Sequence, residues 1–188
     1  MRDDFRLIAR IYDRIIQPKQ DISWKKIVCE LSSSSTLLDV GGGTGRIADA
    51  MAKCFEKIII YDVSPAMIKE SKNKNGKISG ICGKVENLAL ENDFFDAVIM
   101  VDTLHHVENH HKAILSILHV LKPGGIFILE EPDIRKFSVK LIAVMEKLLL
   151  MRSHFLKPEV INDWIDKNDF NVNLIEEGNN YYFIIKKK

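Results

Sequence analysis

The segment Leu37-Leu38-Asp39-Val40-Gly41-Gly42-Gly43-Thr44-Gly45-Arg46 constrains the fold of this chain more than any other. An apolar run ends in a carboxylate and passes straight into a glycine-rich turn, after which Ile47 to Ala52 reads as a helix. Gly41, Gly43 and Gly45 lack a Cβ, so they can take positive φ and let a ligand approach the backbone closely. The helix that follows points its unpaired N–H groups into the turn. A strand, loop and helix in this order is a cradle for a nucleotide-like ligand.

The spacing narrows the ligand. A dinucleotide fingerprint reads G-x-G-x-x-G, but counted from Gly41 its third glycine falls on Arg46, and counted from Gly42 it falls on Ile47. The pattern present is Asp39-x-Gly41-x-Gly43-x-Gly45, with Gly42 inside it. A carboxylate at that point repels a pyrophosphate and suits an ammonium or sulfonium. The next apolar run, Lys57 to Tyr61, stops at Asp62, and Ser64 and Pro65 then open a helix as N-cap and first helical residue. At the end of a parallel strand beside the glycine loop, Asp62 is placed to accept both ribose hydroxyls.

These residues resemble the class I S-adenosylmethionine-dependent methyltransferases. The resemblance implies S-adenosylmethionine as cofactor and makes Asp62-x-Ser64-x-x-Met67 the adenosine-binding segment, with Val63 and Met67 lining the adenine. Phe95 to Val107 resembles the family's fourth-strand motif, which places Asp102 among the cofactor-side residues, and Leu121-Lys122-Pro123-Gly124-Gly125 resembles its fifth-strand entry. One position departs from the pattern. Where family members carry an aspartate for the adenine amino group, this chain has Lys84, which cannot accept a hydrogen bond. The Val85 backbone or Glu86 is left to read the adenine.

Apolar runs alternate with helical patterns along the chain. Strands are expected at 36–40, 57–61, 78–82, 95–101 and 125–130, with helices near 44–55, 65–72 and 109–121, and Leu121 to Gly125 as a helix-to-strand turn. Such alternation predicts a doubly wound, mostly parallel α/β sheet. Helices are expected over 136–152 and 158–167, and two last strands near 171–176 and 180–186 meet at Glu177-Gly178-Asn179 as an antiparallel hairpin. With the resemblance, this ordering implies a Rossmann-like, seven-stranded sheet. At 188 residues and 46% apolar content the chain suits one domain. Residues 36–186 are read as its core.

Residues 4–17 carry a helical apolar stripe at Phe5, Ile8, Ile11, Tyr12 and Ile15, and residues 24–31 form a second helix. Phe5-x-x-Ile8-Ala9-x-x-Tyr12-Asp13 resembles the lid helix of the quinone C-methyltransferases and their small-molecule relatives, which makes residues 1–31 a lid and Tyr12 a pocket residue. The segment from Phe137 to Arg152 is apolar around most of its circumference, and burial in the core is the expected outcome. A roof over an apolar acceptor, a dimer contact or a membrane contact are its alternatives.

A formal net charge of +1 gives no electrostatic case for nucleic acid or an anionic membrane. Cys29, Cys54 and Cys82 lack metal-like spacing and fit unpaired thiols in a reducing cytosol. No signal-peptide layout opens the chain and no run has the length of a membrane span. A soluble cytoplasmic protein, monomeric or homodimeric, is expected.

Acceptor chemistry falls to the other strand ends: Asp102, Thr103, His105, His106, Glu130 and Glu131. A base is needed only if the acceptor must lose a proton, and histidine suits that role. His105 and His106 are the catalytic candidates, with packing or capping of the next helix as the alternative. His106 and His110 are four apart, but Asn109 reads as an N-cap that interrupts the helix between them, so no metal site is expected. The resulting expectation is methyl transfer from S-adenosylmethionine to a small, apolar or quinone-like molecule. Methylation of RNA or protein, or non-catalytic binding of S-adenosylmethionine, are the alternatives.

Overall fold

The computed structural model describes residues 25–31, 35–71, 76–148 and 153–188. The helix expected over 4–17, with Tyr12, lies outside them. In chain order the elements are α1 (Lys25–Cys29), β1 (Thr36–Val40), α2 (Arg46–Met51), β2 (Lys57–Asp62), α3 (Pro65–Ser71), β3 (Ile78–Cys82) and β4 (Phe95–Val101). They continue with α4 (His110–Val120), β5 (Leu121–Pro132), α5 (Phe137–Leu148), α6 (Pro158–Asp163), β6 (Phe170–Glu177) and β7 (Asn180–Lys187). Short 3-10 turns cover Val85–Asn87 and Leu104–His106.

Seven strands pair in the order β3-β2-β1-β4-β5-β7-β6. The first five are parallel, while β7 runs antiparallel to both β5 and β6. Successive side chains of a strand point to opposite faces, and both faces here are covered. Leu38, Val98 and Phe127 pack with Ile114 and Ile117 of α4 and Ile161 of α6 on one face. Leu37, Ile58 and Ile99 pack with Val28 of α1, Met51 of α2 and Ile68 of α3 on the other. This is why β1 and β4 read as continuous apolar runs. Chain order reverses between β1 and β4, so the loops after those two strands open a crevice at their carboxyl ends.

Three expectations are corrected. Leu121 to Gly125 is part of β5 rather than a turn, and the kink is absorbed by a register shift between Phe95 and Ala97 and by Gly124 at φ 78°. Helix α5 is not buried in the core. Only its Val139 is buried, whereas Phe137 is 84% exposed and Leu148 74%. Both faces of the sheet are already occupied by the other helices, which leaves α5 outside. Cys29 and Cys54 are not unpaired: they form a disulfide that ties the end of α1 to the segment after α2, and Cys82 is the free, exposed thiol. Their separation in sequence hid a pairing that the packing of α1 on α2 creates.

No helix among the described residues is long and apolar enough to cross a membrane.

Candidate active site

The loop after β1 is held at the crevice from two sides. The Gly41 N–H donates to the Tyr61 carbonyl at 2.7 Å, and the Gly43 N–H donates to Asp62 Oδ2 at 3.0 Å. Gly41 and Gly43 sit at φ 71° and 55°, where a Cβ is disfavoured. The space around them differs. A Cβ on Gly41 would lie 2.1 Å from Thr103 Cγ2, so Gly41 is the point where the β1 and β4 loops touch. Among the described residues, a Cβ on Gly43 would meet nothing nearer than Met67 Sδ at 3.8 Å, so they leave that side of the loop open. Gly45 is the residue preceding α2, and Gly42 packs on the Asp39 carboxylate.

Asp39 is 1% exposed, and its Oδ2 has no hydrogen-bond partner. Burial, reinforced by the nearby Asp62 charge and only partly offset by the Ala48 N–H, pushes its pKa up to about 7. A buried carboxyl with an unpartnered oxygen beside an open glycine loop fits a ligand that brings its own cation. Asp62 at the end of β2 also accepts from the Ser64 N–H at 2.8 Å, and Ser64 in turn accepts from the Met67 N–H at 3.3 Å. This fixes Asp62, Val63 and Met67 along one wall of the crevice. Carboxylate oxygens each have a second lone pair, so these bonds leave Asp62 able to accept hydroxyl donors.

Beyond β3 the picture is mixed. Lys84 pairs with Glu108 at 3.3 Å on the surface. Glu86 is buried, and its Oε1 accepts from the Glu108 and Asn109 N–H groups, where it holds the entry to α4. Its carboxylate is therefore engaged within the protein, and Val85 is the residue of this turn that keeps only its backbone to offer. Asn109 caps α4 by accepting from the Lys112 N–H at 3.0 Å.

The end of β4 carries the densest polar cluster. Asp102 takes φ 50°, a strained region for a side-chain-bearing residue, and donates its N–H to the Glu130 carbonyl at 2.9 Å. Glu130 accepts from Asn180 Nδ2 at 2.7 Å. Glu131, 3% exposed on β5, organises the Leu104–His106 turn. It accepts from the N–H groups of Thr103 (2.8 Å), Leu104 (2.6 Å) and His105 (3.3 Å), and pairs with His105 Nδ1 at 2.6 Å. Burial opposes protonation of His105, but the Glu131 hydrogen bond and charge, with Glu146 and Asp102 adding to them, outweigh it and raise its pKa. His106 shifts the other way. Burial, with the neighbouring His105 charge, lowers its pKa to about 3, so its ring is neutral at ordinary pH.

Glu146 of α5 is the residue that the sequence reading passed over. Its Oε2 is buried without a hydrogen-bond partner, and one ligand atom from each of His105, His106 and Glu146 lies within 4.8 Å of the other two. The single acid of a helix that is apolar around most of its circumference was the available signal. The segment after α5 closes over the same histidines. Phe155 stacks on His105 with ring centroids 4.5 Å apart, Ser153 Oγ lies 3.2 Å from His106 Nδ1, and the His154 N–H donates to the His105 carbonyl at 2.7 Å. A cleft of about 440 Å³ runs between this segment and α5, lined by Ile134, Ala143, Val144, Lys147, Phe155 and Leu156 among others.

Residues 38–129 match the family described as a methyltransferase domain. The chain is 26% identical to the demethylmenaquinone methyltransferase of Tropheryma whipplei, with 90% of this chain and 79% of that protein covered. It is 31% identical to the ubiquinone/menaquinone biosynthesis C-methyltransferase UbiE of Pseudomonas fluorescens, where the match spans 66% of this chain and 52% of the relative. Among solved structures, a chain from the complex between the Haloferax volcanii Trm112 methyltransferase activator and a methyltransferase superposes with a TM-score of 0.82 at 15% identity, covering 100% of this chain and 99% of its own. A SAM-dependent methyltransferase from Thermotoga maritima superposes with a TM-score of 0.76 at 21% identity, each chain covered completely at 100%. These two share the fold, and the seven-stranded Rossmann-like sheet is the one expected from the sequence. The methyltransferase-domain match, these relatives and these neighbours together support a class I S-adenosylmethionine-dependent methyltransferase, an enzyme with S-adenosylmethionine as methyl donor.

Proposed function

We propose that the enzyme methylates a small, apolar or quinone-like molecule bound between the cofactor crevice and α5. The observation that carries this reading is the apolar cleft of about 440 Å³ beside the His105–His106 turn. That turn directly follows the β4 end that touches the glycine loop. The relatives named for quinone methylation support the same acceptor class. S-adenosylmethionine supplies an electrophilic methyl group on a sulfonium, with a thioether as leaving group.

The residues of this chain divide the remaining work. Gly41, Gly42, Gly43 and Gly45 shape the loop that receives the methionine end, and Asp39 takes its ammonium. Asp62 accepts the ribose hydroxyls, Val63 and Met67 line the adenine, and the Val85 backbone reads its edge. Among the other cofactor-side candidates, Lys84 and Glu86 frame the adenine end and Asp102 bounds the crevice from β4, while Tyr12 lies outside the described residues. Residues 36–186 form the core of the same domain. Positioning of the acceptor supplies most of the rate. His106, neutral at ordinary pH, and His105, poised by Glu131, are the candidates to hold or take an acceptor proton.

Incubating the protein with cell extract and isotopically labelled S-adenosylmethionine, followed by mass spectrometry, tests the acceptor class. Label in an organic-extractable small molecule is expected. Label confined to RNA or protein would overturn the proposal.

Asp39 gives this reading a pH signature. Its pKa in the folded, ligand-free protein is raised, so below about pH 7 it is largely protonated and must lose its proton to pair with a cation. Affinity for S-adenosylmethionine is therefore expected to rise as pH increases from 5.5 to about 7, with proton release on binding. The same raised pKa makes the Asp39 contribution to stability fall as pH rises through that interval, because the unfolded chain has already lost the proton. Calorimetric titrations at pH 6 in two buffers of different ionisation enthalpy measure the released proton. In Asp39→Asn it should vanish.

A further inference from the structure

His105 and His106 lie in the Leu104–His106 turn and Glu146 on α5, elements far apart in the chain, yet they present their ligand atoms to one point. We infer that they form a divalent-metal site of the two-histidine, one-carboxylate type, suited to a borderline ion such as Zn²⁺.

The donor set comes first. Two imidazole nitrogens and one carboxylate oxygen suit Zn²⁺ and its transition-metal neighbours, whereas Mg²⁺ and Ca²⁺ favour oxygen shells. With metal–ligand bonds of about 2.0–2.2 Å, ligands around one ion lie roughly 3–4 Å apart. The atoms here lie within 4.8 Å of one another, so closure takes a side-chain adjustment of about an ångström rather than a backbone change.

Two further observations point to a ligand. Glu146 Oε2 is buried with no hydrogen-bond donor, an arrangement that costs free energy unless a cation satisfies it. His105 also has the outer partner that metal-bound histidines carry. Glu131 Oε2 lies 2.6 Å from its Nδ1, which fixes the tautomer with the lone pair on Nε2. Three backbone N–H groups clamp Glu131 in turn, and Phe155 holds the His105 ring plane. The structure thus orients His105 more rigidly than simple packing requires.

Three protein ligands leave at least one coordination position open. The apolar cleft shares Ser153 and Phe155 with this cluster. An ion here would hold an acceptor oxygen or sulfur atom at the mouth of the crevice. That use rests on the proposed function, but metal binding itself does not, and it can be measured without cofactor or acceptor.

The test is calorimetric titration of chelator-treated, full-length protein with Zn²⁺ alone, with thermal melting to confirm that each variant is folded. One Zn²⁺ per chain is expected. Glu146→Gln and His106→Gln should each weaken it by at least about tenfold, and Glu131→Gln by about tenfold through His105. Glu146 lies on an outer helix, so its variant should keep the wild-type melting behaviour. No saturable uptake by the wild type would overturn the site, as would uptake of unchanged affinity in either Glu146→Gln or His106→Gln.

Discussion

Gly43→Val should abolish binding of S-adenosylmethionine and leave the protein folded. The open side of the loop is what makes the two effects separable. Among the described residues a Cβ at Gly43 meets no atom closer than 3.8 Å, so it projects into the space the ligand needs. The φ of 55° adds a backbone cost of about 1–2 kcal/mol, which lowers the melting temperature by roughly 2–8 °C for a chain of this size. An affinity loss of at least about a hundredfold is expected, close to 3 kcal/mol. Gly41→Val is the contrasting case. There the new side chain collides with Thr103 and wedges the β1 and β4 loops apart, so the fold itself should fail. Titration calorimetry with thermal melting distinguishes the two. A Gly43→Val protein with wild-type affinity would show that the ligand does not lie on this loop.

Glu131→Ala is expected to destabilise the folded protein strongly while leaving it able to fold. One buried carboxylate satisfies three backbone N–H groups and a histidine ring. Removing it strands those donors and deprives His105 of its counter-charge, a loss of about 3–5 kcal/mol by analogy with broken buried pairs. The melting temperature should fall by roughly 10 °C. The Leu104–His106 turn loses its anchor, so acceptor turnover should fall more than cofactor affinity. Glu131→Gln keeps one acceptor oxygen and should recover part of the stability without restoring the charge. Melting curves and separate measurements of kcat and cofactor Kd check this. Equal melting temperatures for Glu131→Ala and the wild type would show that the turn is held by something else.

Much of the fold was legible because its signals are local. The β1 run ends in Asp39 and a glycine turn, and the β2 run ends in Asp62 before Ser64-Pro65, so each strand announces its own carboxyl end. Gly178, at φ 59°, likewise marks the turn of the β6–β7 hairpin. What stayed hidden depends on distant partners. Glu131 shows in sequence as an acid at a strand end, but its grip on Thr103, Leu104 and His105 exists only because β5 lies beside β4. The Cys29–Cys54 pair requires α1 to pack near α2. Helix α5 carries an apolar pattern that promised burial, yet the two faces of the sheet were filled by other helices. Glu146 gains meaning only when that helix is set against the histidines.

The most direct test of the account is calorimetric titration of the wild-type protein with S-adenosylmethionine and with S-adenosylhomocysteine. Saturable binding of both, one per chain, is predicted, with the loss of both in Gly43→Val. A folded wild-type protein that binds neither would contradict it.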